Sequence, residues 1–164
     1  MTMRSLTVTF WIVMAVLVQL TAPAHADILK GIASVTDGRT IEIDNQKVRL
    51  LDIDAPEMEQ LCQDAAGADY RCGQHAALAL SDFLQQRKVT CDWSNRDREG
   101  RRLGRCTVAD QDAGLWLIEQ GWAVPDRDCK CETYRAAAEQ AKARKLGLWA
   151  GVFEMPWEWR RRTQ

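Results

Sequence analysis

The ten residues Val48–Glu57, VRLLDIDAPE, limit what this chain can become more than any other stretch. An apolar run suited to a half-buried strand must stop at Pro56, because proline has no N–H to give a central ladder. Arg49 stands near the start of that strand, and Asp52, Asp54 and Glu57 crowd its end. Carboxylates so close repel one another unless a cation or a guanidinium lies between them. Hard cations take oxygen ligands and arginine forks suit phosphate oxygens, so the stretch suits a metal and a phosphate side by side. A strand ending in a solvated acidic turn is the plainer alternative.

Residues 1–26 read as a secretory signal peptide. Arg4 precedes an apolar run from Thr7 to Leu20, and Ala24-His25-Ala26 supplies an A-x-A cleavage site. The run is short for a bilayer span, which disfavours a membrane anchor. The mature chain is expected to begin at Asp27, in a periplasm or outside the cell. The remainder, about 138 residues, is enough for one domain with a real core. No repeat or composition break divides it, so 27–150 reads as one domain and 151–164 as an aromatic and basic tail. Without Arg4 the balance is 21 basic against 23 acidic residues, a net charge of −2. Bulk charge therefore does not make this a general nucleic-acid binder, and any phosphate recognition must be local. Arg160-Arg161-Arg162 reads as a frayed, solvated end.

All six cysteines lie beyond the signal segment, where export makes disulfides the default. Cys62 and Cys72 bracket one loop. Cys91 and Cys106 are equidistant from a turn between Arg98 and Glu99, so on a hairpin they face each other. Those two bridges are expected. Cys129 and Cys131 are too close in sequence for a relaxed bridge. They are read as a strained redox-active pair, two free thiols, or a disulfide link to a second copy of the chain. One histidine outside the signal segment, His75, does not make a zinc site with them and reads as helix surface.

The apolar pattern sets out the elements in order. Strands are expected over Ile28–Val35, Thr40–Ile43 and Val48–Asp54, with an Asp-Gly turn between the first two. A polar loop comes next, then a helix over Gly73–Gln86, and a hairpin of Lys88–Ser94 and Arg102–Ala109. Asp112 caps a short helix that ends at Gly121, and a last helix runs from Glu132 to Lys145. Three strands, a helix and two strands predict an α+β, mainly β fold: a five-stranded OB-fold barrel with about three helices. Trp149, Trp157 and Trp159 lie outside the strands and read as packing for the terminal segment rather than base-stacking platforms.

Gly100-Arg101 lies just past the turn of the second hairpin, so Arg101 projects from a fixed corner. Phosphodiester hydrolysis needs a carboxylate to orient or deprotonate water, cations to neutralise the pentavalent phosphate, and forks to hold its oxygens. Glu57, Arg49 and Arg101 match those needs. At these residues the chain resembles the staphylococcal nuclease (thermonuclease) family over nearly all of its mature length. The markers are Val35-Thr36-Asp37-Gly38-Arg39-Thr40, Arg49-Leu50 with Ile53-Asp54-Ala55-Pro56-Glu57, and Asp97-Arg98-Glu99-Gly100-Arg101. Gly121-Trp122-Ala123, Tyr134 with Glu139-Gln140-Ala141, and Gly147-Leu148-Trp149 extend the match.

The resemblance implies an OB-fold and calcium-dependent endonucleolytic cleavage of DNA and RNA. It assigns Arg49 and Arg101 to the scissile phosphate and Glu57 to the attacking water. It makes Asp54 and the backbone carbonyl of Ala55 calcium ligands, with Asp37 a carboxylate near the metal. The family's turn reads Asp-Gly-Asp-Thr, whereas Arg39 stands here in place of its ligand aspartate. Two pocket tyrosines are replaced near Arg127 and Cys129, and Glu99 replaces a third.

Three consequences of Arg39 are open. Asp52, on the same face as Asp54 in an ideal strand, replaces the lost ligand. Arg39 itself supplies the cation. Or Arg39 and Asp52 form a plain salt bridge and catalysis is gone. The leading reading is an exported, disulfide-braced nuclease. The alternatives are a non-catalytic module that binds nucleic acid or another phosphate ligand, and a redox or dimeric protein built on Cys129 and Cys131.

Overall fold

The computed structural model describes residues 27–163, so the signal-peptide segment lies outside the described residues. The strand expected over Ile28–Val35 is two: β1 (Asp27–Ile32) and β2 (Ser34–Asp37), separated at the buried Ala33. β3 (Thr40–Ile43) and β4 (Gln46–Leu50) continue an antiparallel meander from β2. Ile41, Ile43, Val48 and Leu50 point into the core, each 2 % exposed or less, while Arg49 alternates to the other face.

The strand expected over Val48–Asp54 also breaks. Leu51 and Asp52 form a turn, with Asp52 at φ 65°, before the two-residue β5 (Ile53–Asp54). β6 (Leu61–Gln63) and β7 (Asp69–Arg71) form a small hairpin where a polar loop was expected. α1 (Cys72–Leu84) comes next and stops at Gln85, which takes the left-handed conformation. β8 (Lys88–Arg96) and β9 (Arg102–Val108) form the second hairpin, with Cys91 directly opposite Cys106. β10 (Gln111–Asp112) leads into α2 (Ala113–Glu119), where Asp112 Oδ1 caps the Leu115 N–H at 2.9 Å. β11 (Val124–Pro125) pairs with β5, and α3 (Glu132–Ala143) precedes a 3₁₀ turn over Gly147–Ala150. The chain ends in α4 (Pro156–Thr163), a helix the sequence pattern did not call for.

The main sheet runs β1-β8-β9-β4-β3-β2, with β10 on β9, and β4–β9 as its parallel pair. The two ends of that path, β1 and β2, are consecutive in the chain. This is an α+β, mostly β architecture consistent with an OB-like fold, but with more and shorter strands than the five-stranded barrel expected. Leu80 and Leu84 of α1, Leu117 and Ile118 of α2, and Tyr134, Ala137 and Ala138 of α3 join the strand residues in one core.

Cys62–Cys72 and Cys91–Cys106 are bridged as the spacing predicted. Cys129 is bonded to Cys131, so no cysteine among the described residues is free to link a second chain. The disulfide-linked dimer therefore has no support in the structure. Also among the described residues, no helix is long and apolar enough to cross a membrane.

Candidate active site

The break at Leu51–Asp52 sets the orientation of both later carboxylates, Asp54 and Glu57. β5 is held by β11, with Val124 opposite Asp54, and the Asp126 N–H donates to the Asp52 carbonyl at 2.9 Å. Asp54 is thereby fixed inward, its side chain 2 % exposed. Pro56 then ends the strand and Glu57 begins a loop. That loop is braced twice. The Gln60 N–H donates to the Glu57 carbonyl at 2.9 Å. Gly73 of α1 also lies so close that an added Cβ would stand 1.9 Å from the same oxygen. Only glycine permits that approach.

Asp54 and Glu57 share two guanidiniums. Arg39, 8 % exposed, pairs with Asp54 Oδ1 through Nη1 and donates from Nη2 to Glu57 Oε1 at 2.8 Å. The second comes from the far end of the chain. Arg160 Nη2 donates to Asp54 Oδ2 at 2.6 Å, and its Nη1 donates to Asp54 Oδ1 at 3.1 Å and to Glu57 Oε1 at 2.7 Å. Both oxygens of Asp54 are thus taken, while nothing among the described residues donates to Glu57 Oε2. Burial lowers the Arg39 guanidinium below its usual range, with nearby Arg49 adding to the effect and Asp54 opposing it. Burial also works against the charge of Arg160, but its hydrogen bonds to Asp54 and Glu57 prevail and raise its pKa. Two carboxylates and two guanidiniums leave this cluster with no net charge.

Arg160 is the residue that sequence reasoning missed. The end of the chain was expected to be frayed, yet α4 is anchored. Pro156 is buried, and the fully buried Gln60 donates from Nε2 to the Glu154 carbonyl at 2.7 Å. Trp149 and Phe153 meet edge to face at 4.9 Å between centroids, so Trp149 packs the terminal segment as expected. The one sequence signal was the run of three arginines, which does not say which of them turns inward.

Arg49 and Arg101 sit on the rim. Arg49 has its nearest carboxylate, Asp126, at 3.8 Å. Arg101 is held within its own turn, donating from Nε to Asp97 Oδ2 at 2.6 Å and from Nη2 to Glu99 Oε2 at 2.6 Å. Asp97 Oδ1 also accepts the N–H groups of Glu99 and Arg101, at 3.0 and 2.9 Å. Burial opposes ionisation of Asp97, but the Arg101 bonds outweigh it and hold its pKa below the usual carboxylate range. A cavity of about 300 Å³ is lined by Arg49, Asp52, Asp97 and Asp126, and by neither Asp54 nor Glu57.

Asp37 accepts the Arg39 backbone N–H at 2.9 Å and acts electrostatically on Arg101. Asp52 does not share a face with Asp54, because its positive φ turns it away. Its Oδ2 accepts from Arg105 at 2.9 Å, and it stands beside the sulfurs of Cys129 and Cys131. The expectation that Asp52 replaces a ligand beside Asp54 rested on an unbroken strand, and the turn overturns it. The plain Arg39–Asp52 salt bridge is overturned as well, since Arg39 pairs with Asp54 and Glu57.

The profile described as "Staphylococcal nuclease homologue" matches residues 47–151. The chain is 45 % identical to the "Succinoglycan biosynthesis protein ExoI" of Rhizobium meliloti, over 86 % of this chain and 75 % of that one. It is 31 % identical to an "Uncharacterized endonuclease" of Escherichia coli O157:H7, over 84 % and 88 % of the two chains. With a "Micrococcal nuclease" of Shigella flexneri it shares 28 % identity, over 92 % and 90 %. The chain belongs to the staphylococcal nuclease family. Nuclease activity on nucleic acid is the function of that family, and the family is calcium-dependent.

The donors in this chain do not fit calcium. The ion takes about six to eight oxygen ligands. Here both Asp54 oxygens accept from guanidiniums, Asp37 Oδ1 is committed to a backbone N–H, and Arg39 and Arg160 have only donors to offer. The group formed by Asp52, Cys129 and Cys131 carries sulfurs that are bonded to each other, and it is not a hard-cation site.

Proposed function

We propose that this chain is an exported endonuclease that hydrolyses phosphodiester bonds of DNA or RNA, in a periplasm or outside the cell. The observation that carries the reading is Glu57. It is fixed through one oxygen by Arg39 and Arg160 and keeps the other oxygen without a partner among the described residues. A carboxylate held in that way can take a proton from water while its own orientation stays fixed. The water oxygen bonds to phosphorus, the ester bond to the leaving oxygen breaks, and solvent protonates the leaving oxygen. Arg49, loosely tied to Asp126, and Arg101, braced by Asp97, present guanidiniums to the phosphate oxygens. Three disulfides in so short a chain agree with an oxidising compartment.

The second reading is a module that binds nucleic acid or another phosphate ligand without turning it over. It is favoured by the same cluster, because Arg39 and Arg160 cancel the charge of Asp54 and Glu57. Hydrolysis of single-stranded DNA and RNA decides between the two, run with calcium and with a chelator, and with Glu57→Ala as control. Cleavage lost in the control supports the enzyme. Salt-dependent binding without cleavage by the folded, oxidised protein supports the module.

A further inference from the structure

We propose that Arg160, brought in by the C-terminal helix, joins Arg39 in a guanidinium pair that replaces a divalent cation between Asp54 and Glu57. The site would thus be assembled without calcium and would be incomplete without α4. This inference rests on the nuclease reading for its activity measurements but not for its binding measurements.

Three observations converge on it. The first is stoichiometric: two forks face two carboxylates, and each fork bridges both, which is the bridging task a divalent cation would perform. Calcium could enter only by displacing both guanidiniums, one of them buried. The second is mechanical. Arg160 does not hang on a loose tail. Its helix is tied down by the buried Pro156 and by Gln60 to the Glu154 carbonyl at 2.7 Å. Gln60 ties the two parts together, since its backbone N–H holds the Glu57 carbonyl while its side chain holds the tail. The third is chemical. Arginine stays protonated and donates in a fixed planar fork, so a pair of forks keeps both carboxylates paired and oriented where a labile ion would come and go.

Arg160 is therefore a positioning residue, acting through Glu57. It lies beyond residues 47–151, the span that identifies the family.

The test uses the full chain, expressed in a host that exports it and purified with its disulfides formed. Calcium uptake is followed by calorimetry and by tryptophan-sensitised terbium luminescence, and cleavage of single-stranded DNA is assayed with calcium and with a chelator. The wild type is expected to take up no calcium and to cleave equally under both conditions. Arg160→Gln is expected to lose on the order of 10²-fold in cleavage, the scale of removing one preorganised donor. Added methylguanidinium should restore part of that loss, which a merely structural role for Arg160 would not allow. Arg39→Asp combined with Arg160→Gln is expected to gain calcium uptake.

Saturable calcium uptake by the wild type overturns the proposal. So does faster cleavage by Arg160→Gln, which would make α4 a plug over the site. If the double variant does not fold, the wild-type titration still decides. If the wild type cleaves nothing under any condition, the nuclease reading falls. The pair then stands or falls on calcium uptake alone.

Discussion

The buried arginine and the rim arginines of this protein do different work. Arg39 is 8 % exposed and has both terminal nitrogens committed to carboxylates, one of which, Asp54, is itself 2 % exposed. Arg49 and Arg101 are 21 % and 20 % exposed, and their carboxylate partners are drawn from nearby loops. A buried charge without its partner carries a desolvation penalty, so Arg39 is bound up with folding. A rim charge contributes little to folding and remains available to a ligand. One side chain, Glu57, stands between the two cases: it is fixed by the buried cluster yet is itself 26 % exposed.

The contrast between the two regions can be broken at Glu57, where the largest effect is expected. Glu57→Gln should lower cleavage by about 10²–10⁴-fold, the usual worth of a general base, with an unchanged circular-dichroism spectrum. Retained activity would mean that the free oxygen does not receive the proton.

Arg39→Met separates the buried region from the rim. It should cost about 2–4 kcal/mol in urea unfolding, slightly below a full buried-pair loss because Arg160 still serves Asp54. A cost under about 1 kcal/mol would place Arg39 with the surface pairs.

Asp97→Ala should cost about 1–2 kcal/mol, because Asp97 satisfies two turn N–H groups and holds Arg101. Its folded pKa lies below the unfolded one. Its stabilisation is therefore fully present above the ordinary aspartate value of about 4 and is lost as pH falls through the depressed value. Asp97→Asn should flatten that acid limb of the stability profile, measured by denaturant titration at successive pH values. An unchanged limb would show that the Asp97 carboxylate does not brace the turn.

Arg49→Ala is the mildest change. Stability should move by less than about 1 kcal/mol. The salt dependence of single-stranded DNA binding should lose about 0.7 from its log–log slope, the share of one phosphate contact. An unaltered slope would show that Arg49 does not meet phosphate.

Much of this was legible in the sequence. The apolar pattern placed a strand at Thr40–Ile43, turn symmetry paired Cys91 with Cys106, and Asp112 announced its helix as an N-cap. The carboxylates and arginines of the site were also found by type and spacing. The error at Asp52 came from extending strand alternation across a turn: one residue at φ 65° breaks the alternation, and Ile53 and Asp54 are both buried after it. Nothing local marks that turn, which is stabilised by Leu51 N–H to Gly104 and Asp126 N–H to Asp52, both distant in sequence. The same holds at Ala33, where one expected strand serves as two because β1 and β2 find different partners.

The sequence by itself determined the family, the order of the principal strands and the first three helices, two of the three disulfides and the chemical types gathered at the site. Each depends on a period, a turn or a motif that neighbouring residues define. The tertiary structure alone decided which charges meet. Arg160 and Asp54 are 106 residues apart, and their contact exists because Pro156 and Gln60 bury themselves and carry the terminal helix over the carboxylates. A run of arginines looks the same in a sequence whether it ends in solvent or in a site. Only the packing of the residues before it makes the difference.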